Sequence, residues 1–215
     1  MQYIFPPRPK NRVPPNQLPK YEATGKWVVQ RKFKGTRNVI QITPDGKVNF
    51  FNRHKEEHSQ WTSTSAVRNQ ILALNFERGK EYWLDSELLH AKVSKDTDPY
   101  LKNRIVVFDV LMVAGTYLLG APNQMERLRI LDEICHHPTQ MEPNHGIARW
   151  VSENLWMAET FPNDFELHFQ EKINLPEIEG LVLRRRDSVL DSVGTKEYEC
   201  NWLIRCRKPE GHYQF

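Results

Sequence analysis

The stretch Val28-Val29-Gln30-Arg31-Lys32-Phe33-Lys34-Gly35-Thr36-Arg37 constrains this chain more than any other. A short apolar run with β character gives way, within the seven residues from Arg31 to Arg37, to four cationic side chains and a glycine. Like charges packed so closely repel, so a buried strand seldom ends this way for stability alone. The glycine permits a tight turn and lets an anion approach the backbone. A lysine set among other cations can become a usable amine nucleophile near neutral pH. The stretch therefore reads either as a solvated basic hairpin or as a nucleophile at a phosphate site.

Its surroundings favour sheet. Trp27–Gln30 and Asn38–Thr43 read as strands, and Pro44-Asp45-Gly46-Lys47 is a hairpin-type turn into Val48–Phe51. This pattern predicts an antiparallel meander with Lys32 between paired strands. Tyr82–Leu89 reads as a strand bearing two carboxylates, and Arg104–Gly115 as the most hydrophobic strand of the chain. Three helices are expected. Thr64–Arg78 has Ser63, Thr64 and Ser65 as N-cap candidates, Val67, Ile71 and Leu74 on one face, and Gly79 as its stop. Gln124–His136 carries Met125, Leu128, Leu131 and Ile134 at helical spacing, and Asn163–Ile173 carries Phe165, Phe169 and Ile173 behind an Asn/Asp cap. Gly146–Ala158 fits a strand and an aromatic-rich helix equally badly. Residues Met1–Lys20 contain six prolines, which forbids a helix or a central strand and leaves an extended arm. Arg8, Lys10, Arg12 and Lys20 on that arm either touch a nucleic-acid backbone or are solvated.

At 215 residues the chain suits one domain with a sizeable core. A net charge of +3 provides no global basic field, so a polyanion site must come from local clusters. The three cysteines, Cys135, Cys200 and Cys206, have no C-x-x-C spacing, which signals neither a disulfide framework nor zinc and points to a reducing compartment. No run has the length of a signal peptide core or a membrane span, so a cytoplasmic protein without membrane association is expected. The adjacent His136 and His137 read as surface residues in preference to metal ligands.

Several of these segments, in this order, resemble the signatures of the covalent nucleotidyltransferases: ATP-dependent DNA and RNA ligases and the mRNA capping enzymes. Lys32-Phe33-Lys34-Gly35-Thr36-Arg37 resembles their Lys-x-x-Gly-x-Arg signature, and Asn52-Arg53 the short Ser-Arg element that follows it. Asp85-Ser86-Glu87-Leu88 is similar to Asp-Gly-Glu-Leu, and Phe108-Asp109-Val110-Leu111 to the aromatic signature whose ring stacks on the purine. Met125–Leu131 resembles the helix that follows it in DNA ligases. Glu179-Gly180-Leu181-Val182-Leu183 resembles the signature whose glutamate helps hold a divalent metal at the reacting phosphate. The terminal Trp-Leu…Lys-x-Lys pattern has Arg205 and Arg207 as its nearest equivalents after Trp202-Leu203, with Lys208 as an alternative to Arg207. The chain departs from the pattern at Lys34, where the family carries Asp, Asn or His, and at the arginines that replace the terminal lysines.

The resemblance implies an α+β nucleotidyltransferase domain of the ATP-grasp-like ligase adenylation type, with two antiparallel sheets flanked by helices and a nucleotide between them. It implies a proline-rich arm over residues 1–24 and the adenylation domain over 25–215, a minimal form lacking the OB-fold that closes many relatives. The implied function is an ATP-dependent polynucleotide ligase, DNA ligase-like, joining 5′-phosphate and 3′-hydroxyl ends in repair or replication. In that scheme Lys32 is the catalytic nucleophile, and Gln30, Arg37, Arg53, Glu87, Phe108, Arg205 and Arg207 bind the nucleotide. Glu87 and Glu179 hold Mg²⁺, ATP is the cofactor, nucleic acid is the partner, and a monomer is expected. The alternatives are an RNA ligase, a GTP-dependent RNA capping guanylyltransferase, and a catalytically impaired nucleic-acid-binding relative.

Overall fold

The computed structural model describes residues 3–59, 61–89, 103–136 and 146–209. In chain order the strands are β1 (Arg8–Arg12), β2 (Trp27–Phe33), β3 (Thr36–Ile42), β4 (Val48–Phe51), β5 (Tyr82–Leu89) and β6 (Arg104–Val113). They continue with β7 (Thr116–Tyr117), β8 (Arg149–Trp150), β9 (Leu155–Met157), β10 (Thr160–Phe161), β11 (Ile178–Arg185) and β12 (Glu199–Arg207). The helices are α1 (Leu18–Ala23), α2 (Ser65–Leu72), α3 (Gln124–Cys135) and α4 (Phe165–Lys172).

The strands form two sheets. One has five strands in the order β1-β12-β11-β2-β10; the other has seven, in the order β4-β3-β5-β6-β9-β8 with β7 paired to β6. Both are antiparallel apart from the β1–β12 and β6–β9 pairs. The expected meander around Lys32 is corrected. β2 pairs with β11 and β10, whereas β3 pairs with β4 and β5, so only β3 and β4 form the predicted hairpin. At Lys34-Gly35 the chain leaves one sheet and enters the other. Gly35 makes the crossing possible, because a Cβ there would lie 2.4 Å from the Leu88 carbonyl oxygen and 2.8 Å from Glu87 Cγ.

Apolar faces fix the layers. Leu18 of α1 and Phe165 and Phe169 of α4 pack with Val29, Leu181, Leu183 and Ile204 of the five-stranded sheet. Val67 and Ile71 of α2, with Leu131 and Ile134 of α3, join a larger core built on the seven-stranded sheet. Leu18 and Phe165 are fully buried, a contribution of about 2 kcal/mol each. A smaller cluster, including Phe33, Leu89, Val106 and Ile178, packs where the two sheets approach.

The arm is more regular than proline density predicts. β1 lies at the sheet edge, consistent with the exclusion of a central strand. The exclusion of helix is overturned by α1, because Pro19 falls in its first turn, where a backbone N–H has no intrahelical partner to lose. Thr64 caps α2 as expected by accepting from the Val67 N–H, but the helix stops at Leu72, and Gly79 lies beyond it in a positive-φ turn. α3 begins with a capping box between Asn123 and Glu126. α4 has no side-chain cap from Asp164; the Glu22 carboxylate accepts from the N–H groups of Asp164 and Phe165 instead. The ambiguous Gly146–Ala158 segment forms the short strands β8 and β9. His136 is exposed, and His137 lies outside the described residues.

Candidate active site

A cavity of about 510 Å³ opens between the sheets. Strand β2 lines it with Gln30 to Phe33, Lys32 among them, and the neighbouring β11 supplies Glu179, Val182 and Arg184. Strand β12 adds Arg205 and Arg207, again two residues apart. Arg37 of β3, Glu87 of β5 and Phe108 of β6 come from the opposite sheet, and Arg53 from the turn after β4. Every residue that the sequence singles out as catalytic, nucleotide-binding or metal-binding thus lines this one cavity.

Lys32 Nζ donates to Glu179 Oε2 at 2.5 Å, and Arg207 Nη2 lies 3.3 Å from the same oxygen. The local backbone explains the aim of Glu179. Register along the β2–β11 pair shifts between Ile178 and Gly180, so Glu179 occupies an irregularity that redirects its side chain. Gly180, opposite Lys32, has φ +139°, and a Cβ there would meet the Cys206 carbonyl oxygen at 2.0 Å. The glycine beside Glu179 is therefore required by the close approach of β11 to β12.

Across the cavity Glu87 Oε1 accepts from the Gly35 N–H at 3.1 Å. Burial raises the Glu87 carboxyl to about 7, against the opposing pull of Lys32 and Arg37. Asp85, two residues earlier on the same face, is raised to about 6, first by burial, while Arg37 pulls it down. Arg37 grips both Asp85 oxygens through Nε and Nη2, and Nη2 also donates to the Pro7 carbonyl of the arm. Two carboxylates, Glu87 and Glu179, face one cavity. Magnesium commonly takes one or two carboxylates together with substrate phosphates, so this donor set fits it. Among the described residues no group of three or more His, Cys, Asp or Glu side chains forms a ready-made metal cage.

Phe108 is half-buried, with the Arg37 and Arg184 guanidinium carbons 5.2 and 5.3 Å from its ring centroid. Behind the ring Asp109 is fully buried. It accepts from Arg127 Nε at 3.0 Å and from Arg184 Nη1 at 3.0 Å. Burial alone would raise the Asp109 carboxyl, but the Arg127 and Arg184 guanidiniums outweigh it and hold it below its ordinary value. Gln124 Oε1 accepts from both arginines. This network anchors α3 to β6 and β11 and fixes Arg184 beside the aromatic ring.

The structure separates other sequence candidates. Lys208 donates to the carbonyls of Ile173 and Leu175, and of the two alternatives it is Arg207 that lines the cavity. Lys34 does not occur among the lining residues; its N–H donates to the Glu177 carbonyl. The cation that departs from the resembled pattern is thus not part of the cavity wall. Sequence reading missed the contributions of Phe5, Pro6, His54 and Glu197, which line the cavity from the arm, the turn after β4 and the loop before β12, where they join Arg8 of the arm. The pairing of β1 with β12 brings Arg8 to Glu197, and no local motif announces it.

No family model matches the sequence. No curated protein matches it either. Solved structures do match in three dimensions. The ligase domain of M. tuberculosis LigD superposes with a TM-score of 0.57 at 17% identity, covering 94% of this chain and 59% of that one. A Lig E DNA ligase gives 0.52 at 17% identity, covering 95% of this chain and 70% of that one. The ATP-dependent DNA ligase of bacteriophage T7, in complex with ATP, gives 0.53 at 9% identity, covering 92% of this chain and 67% of that one. The likeness is one of fold. The α+β architecture is that of ligase nucleotidyltransferase domains, and the chain spans 59% and 54% of the first two structures it matches. Among the described residues no helix is long and apolar enough to cross a membrane.

Proposed function

We propose that this protein is an ATP-dependent polynucleotide ligase that works through a lysyl-adenylate, with residues 25–215 as its nucleotidyltransferase domain and residues 1–24 as an arm. The observation that carries the reading is the Lys32–Glu179 contact at 2.5 Å inside a cavity that also presents Arg37, Arg53, Arg184, Arg205 and Arg207. A lysine on its own is common. A lysine held by a carboxylate amid these arginines is arranged for an amine attack on phosphate.

The Lys32 ammonium must lose a proton before it attacks, and the Glu179 carboxylate is its hydrogen-bonded acceptor. The amine then forms an N–P bond to the α-phosphorus of ATP as the bond to the bridging oxygen breaks and pyrophosphate leaves. Arg205 and Arg207 stabilise negative charge on the moving phosphoryl group. Phe108 gives the adenine a stacking surface, Gln30 meets its edge, and Arg37 and Glu87 border the ribose. In the second step an oxygen of a 5′-phosphate on nucleic acid attacks the same phosphorus, and the Lys32 nitrogen leaves and recovers a proton. In the third a 3′-hydroxyl attacks the activated 5′-phosphate and AMP departs. Covalent catalysis divides one difficult condensation into displacements that each have a good leaving group. Glu87 and Glu179 would hold Mg²⁺, which supplies charge neutralisation on the triphosphate when bound.

The test is incubation with α-labelled ATP or GTP and Mg²⁺, followed by denaturing electrophoresis. Acid-labile label from ATP that disappears in Lys32→Ala supports the ligase reading. Label from GTP alone replaces it with a capping guanylyltransferase. No label from either nucleotide, on protein first stripped of bound nucleotide, leaves a nucleic-acid-binding relative.

A further inference from the structure

The mouth of the cavity holds a second charged arrangement, distinct from the lysine floor. Arg8 of the arm forms an ion pair through Nη1 with Glu197 Oε2. The other Glu197 oxygen, Oε1, lies 3.3 Å from His54 Nδ1. Arg53 Nε donates to His54 Nε2 at 2.9 Å. With Nε2 accepting, the imidazole proton sits on Nδ1, the nitrogen that faces Glu197. A single carboxylate from the loop before β12 thus lies between donors from two other segments, the arm and the turn after β4.

These segments belong to opposite walls. Arg8 begins β1 and its N–H donates to the Tyr198 carbonyl, so Arg8 and Glu197 are set by the five-stranded sheet. Arg53 and His54 sit in a turn at the end of β4, at the edge of the other sheet. That turn is fixed because Asn52 Oδ1 accepts from the N–H groups of His54 and Glu56. Side-chain exposures of 39% for Arg8, 38% for Glu197 and 51% for His54 place the contact at the rim, whereas Lys32 and Glu179 are 18% and 22% exposed.

From this geometry we infer that Glu197 is a placeholder for a terminal phosphate group, and that Arg8, Arg53 and His54 form a rim subsite that takes such a group once Glu197 swings aside. A phosphate offers the same oxygen acceptors as the carboxylate, with more charge and one more terminal oxygen. The backbones of Arg8 and His54 are already fixed by the Arg8 N–H to Tyr198 carbonyl bond and by the Asn52 turn. Only the side chains therefore need ordering when the anion is exchanged. Glu197 also selects. A ligand with less charge than a phosphate dianion does not repay its displacement, so the rim favours phosphorylated ends.

The inference rests on the ligase reading for its choice of ligands, of which two carry the required group: the 5′-phosphate of a strand and the phosphates of ATP that leave as pyrophosphate. Two measurements separate these sources. Anisotropy titrations of adenylated protein with a nicked duplex, bearing either a 5′-phosphate or a 5′-hydroxyl, read the strand. The ATP dependence of self-adenylation reads the nucleotide.

The variants have opposite signs. Glu197→Gln removes repulsion and tightens binding of the phosphate-bearing ligand by about fivefold to tenfold, while Arg8→Gln and His54→Ala weaken it by a similar factor. Tightening cannot arise from misfolding, so Glu197→Gln decides the matter. If the change is confined to the 5′-phosphorylated duplex, the subsite belongs to the strand. A change confined to the ATP dependence assigns it to the leaving phosphates. If Glu197→Gln alters neither titration while Lys32 still becomes adenylated, the placeholder role is refuted and the ligase reading stands.

Discussion

Gly180→Ala tests the link between backbone geometry and the site. Gly180 has φ +139°, a conformation that costs an L-residue about 1–3 kcal/mol. The new Cβ would also lie 2.0 Å from the Cys206 carbonyl oxygen and 2.9 Å from Arg207 Cα, contacts that only movement of the backbone can relieve. Opening the β11–β12 pair near Gly180 and Arg207 forfeits one or two ladder hydrogen bonds, at about 1 kcal/mol each. The total is roughly 2–5 kcal/mol, which lowers the melting temperature of a chain this size by about 10 °C. Gly46→Ala is the control, since Gly46 also has positive φ (+78°) but no atom within 4 Å of a Cβ. It therefore loses only the conformational part. Thermal denaturation followed by circular dichroism reads both variants, and labelling from ATP reads the displacement of Glu179 in the first. If Gly180→Ala melts no lower than Gly46→Ala, the close approach of β11 to β12 does not constrain this position.

Arg127→Met leaves Arg184 as the one guanidinium paired with buried Asp109 and removes the donors to the Pro122 and Ser188 carbonyls, so urea unfolding should show a loss of about 3–5 kcal/mol. A loss below 1 kcal/mol would contradict the network. Glu87 is raised from 4.5 to about 7, so the native state binds more protons than the unfolded chain between these values. Its contribution to stability is present below about 4.5 and is lost as pH rises through 7, by at most about 3 kcal/mol. Glu87→Gln removes this dependence, and its stability relative to wild type should rise between pH 5 and pH 8; an unchanged difference would refute the assignment. Lys208→Gln should keep normal labelling from ATP, because its amine caps carbonyls at the end of α4, whereas Arg207→Ala should lower labelling by at least about tenfold. Equal effects of the two would reverse the choice of Arg207.

Much of the site was legible because its chemistry lies in short segments. Lys32, Glu87, Phe108 and Glu179 each stand in a strand that can be read from its apolar neighbours, and all four reach the same cavity. Pairing was less legible. The hairpin-like spacing between Trp27–Gln30 and Asn38–Thr43 resembles a meander, but Gly35 packs against Leu88 and sends the two strands into different sheets. Proline counting failed at α1 because it ignores that the first turn of a helix tolerates Pro19. The rim group of Arg8, His54 and Glu197 was invisible for a third reason. Its members come from three segments that only the tertiary fold brings together, with 189 residues separating Arg8 from Glu197.

In the proposed reaction Lys32 carries AMP during turnover. The direct measurement is mass-spectrometric mapping of the protein after incubation with ATP and Mg²⁺, with proteolysis under conditions that preserve the N–P bond. One adenylyl group is expected, on the peptide containing Lys32, released by pyrophosphate and absent from Lys32→Ala. AMP on Lys34 or another lysine, or no adduct on correctly folded protein, would contradict it.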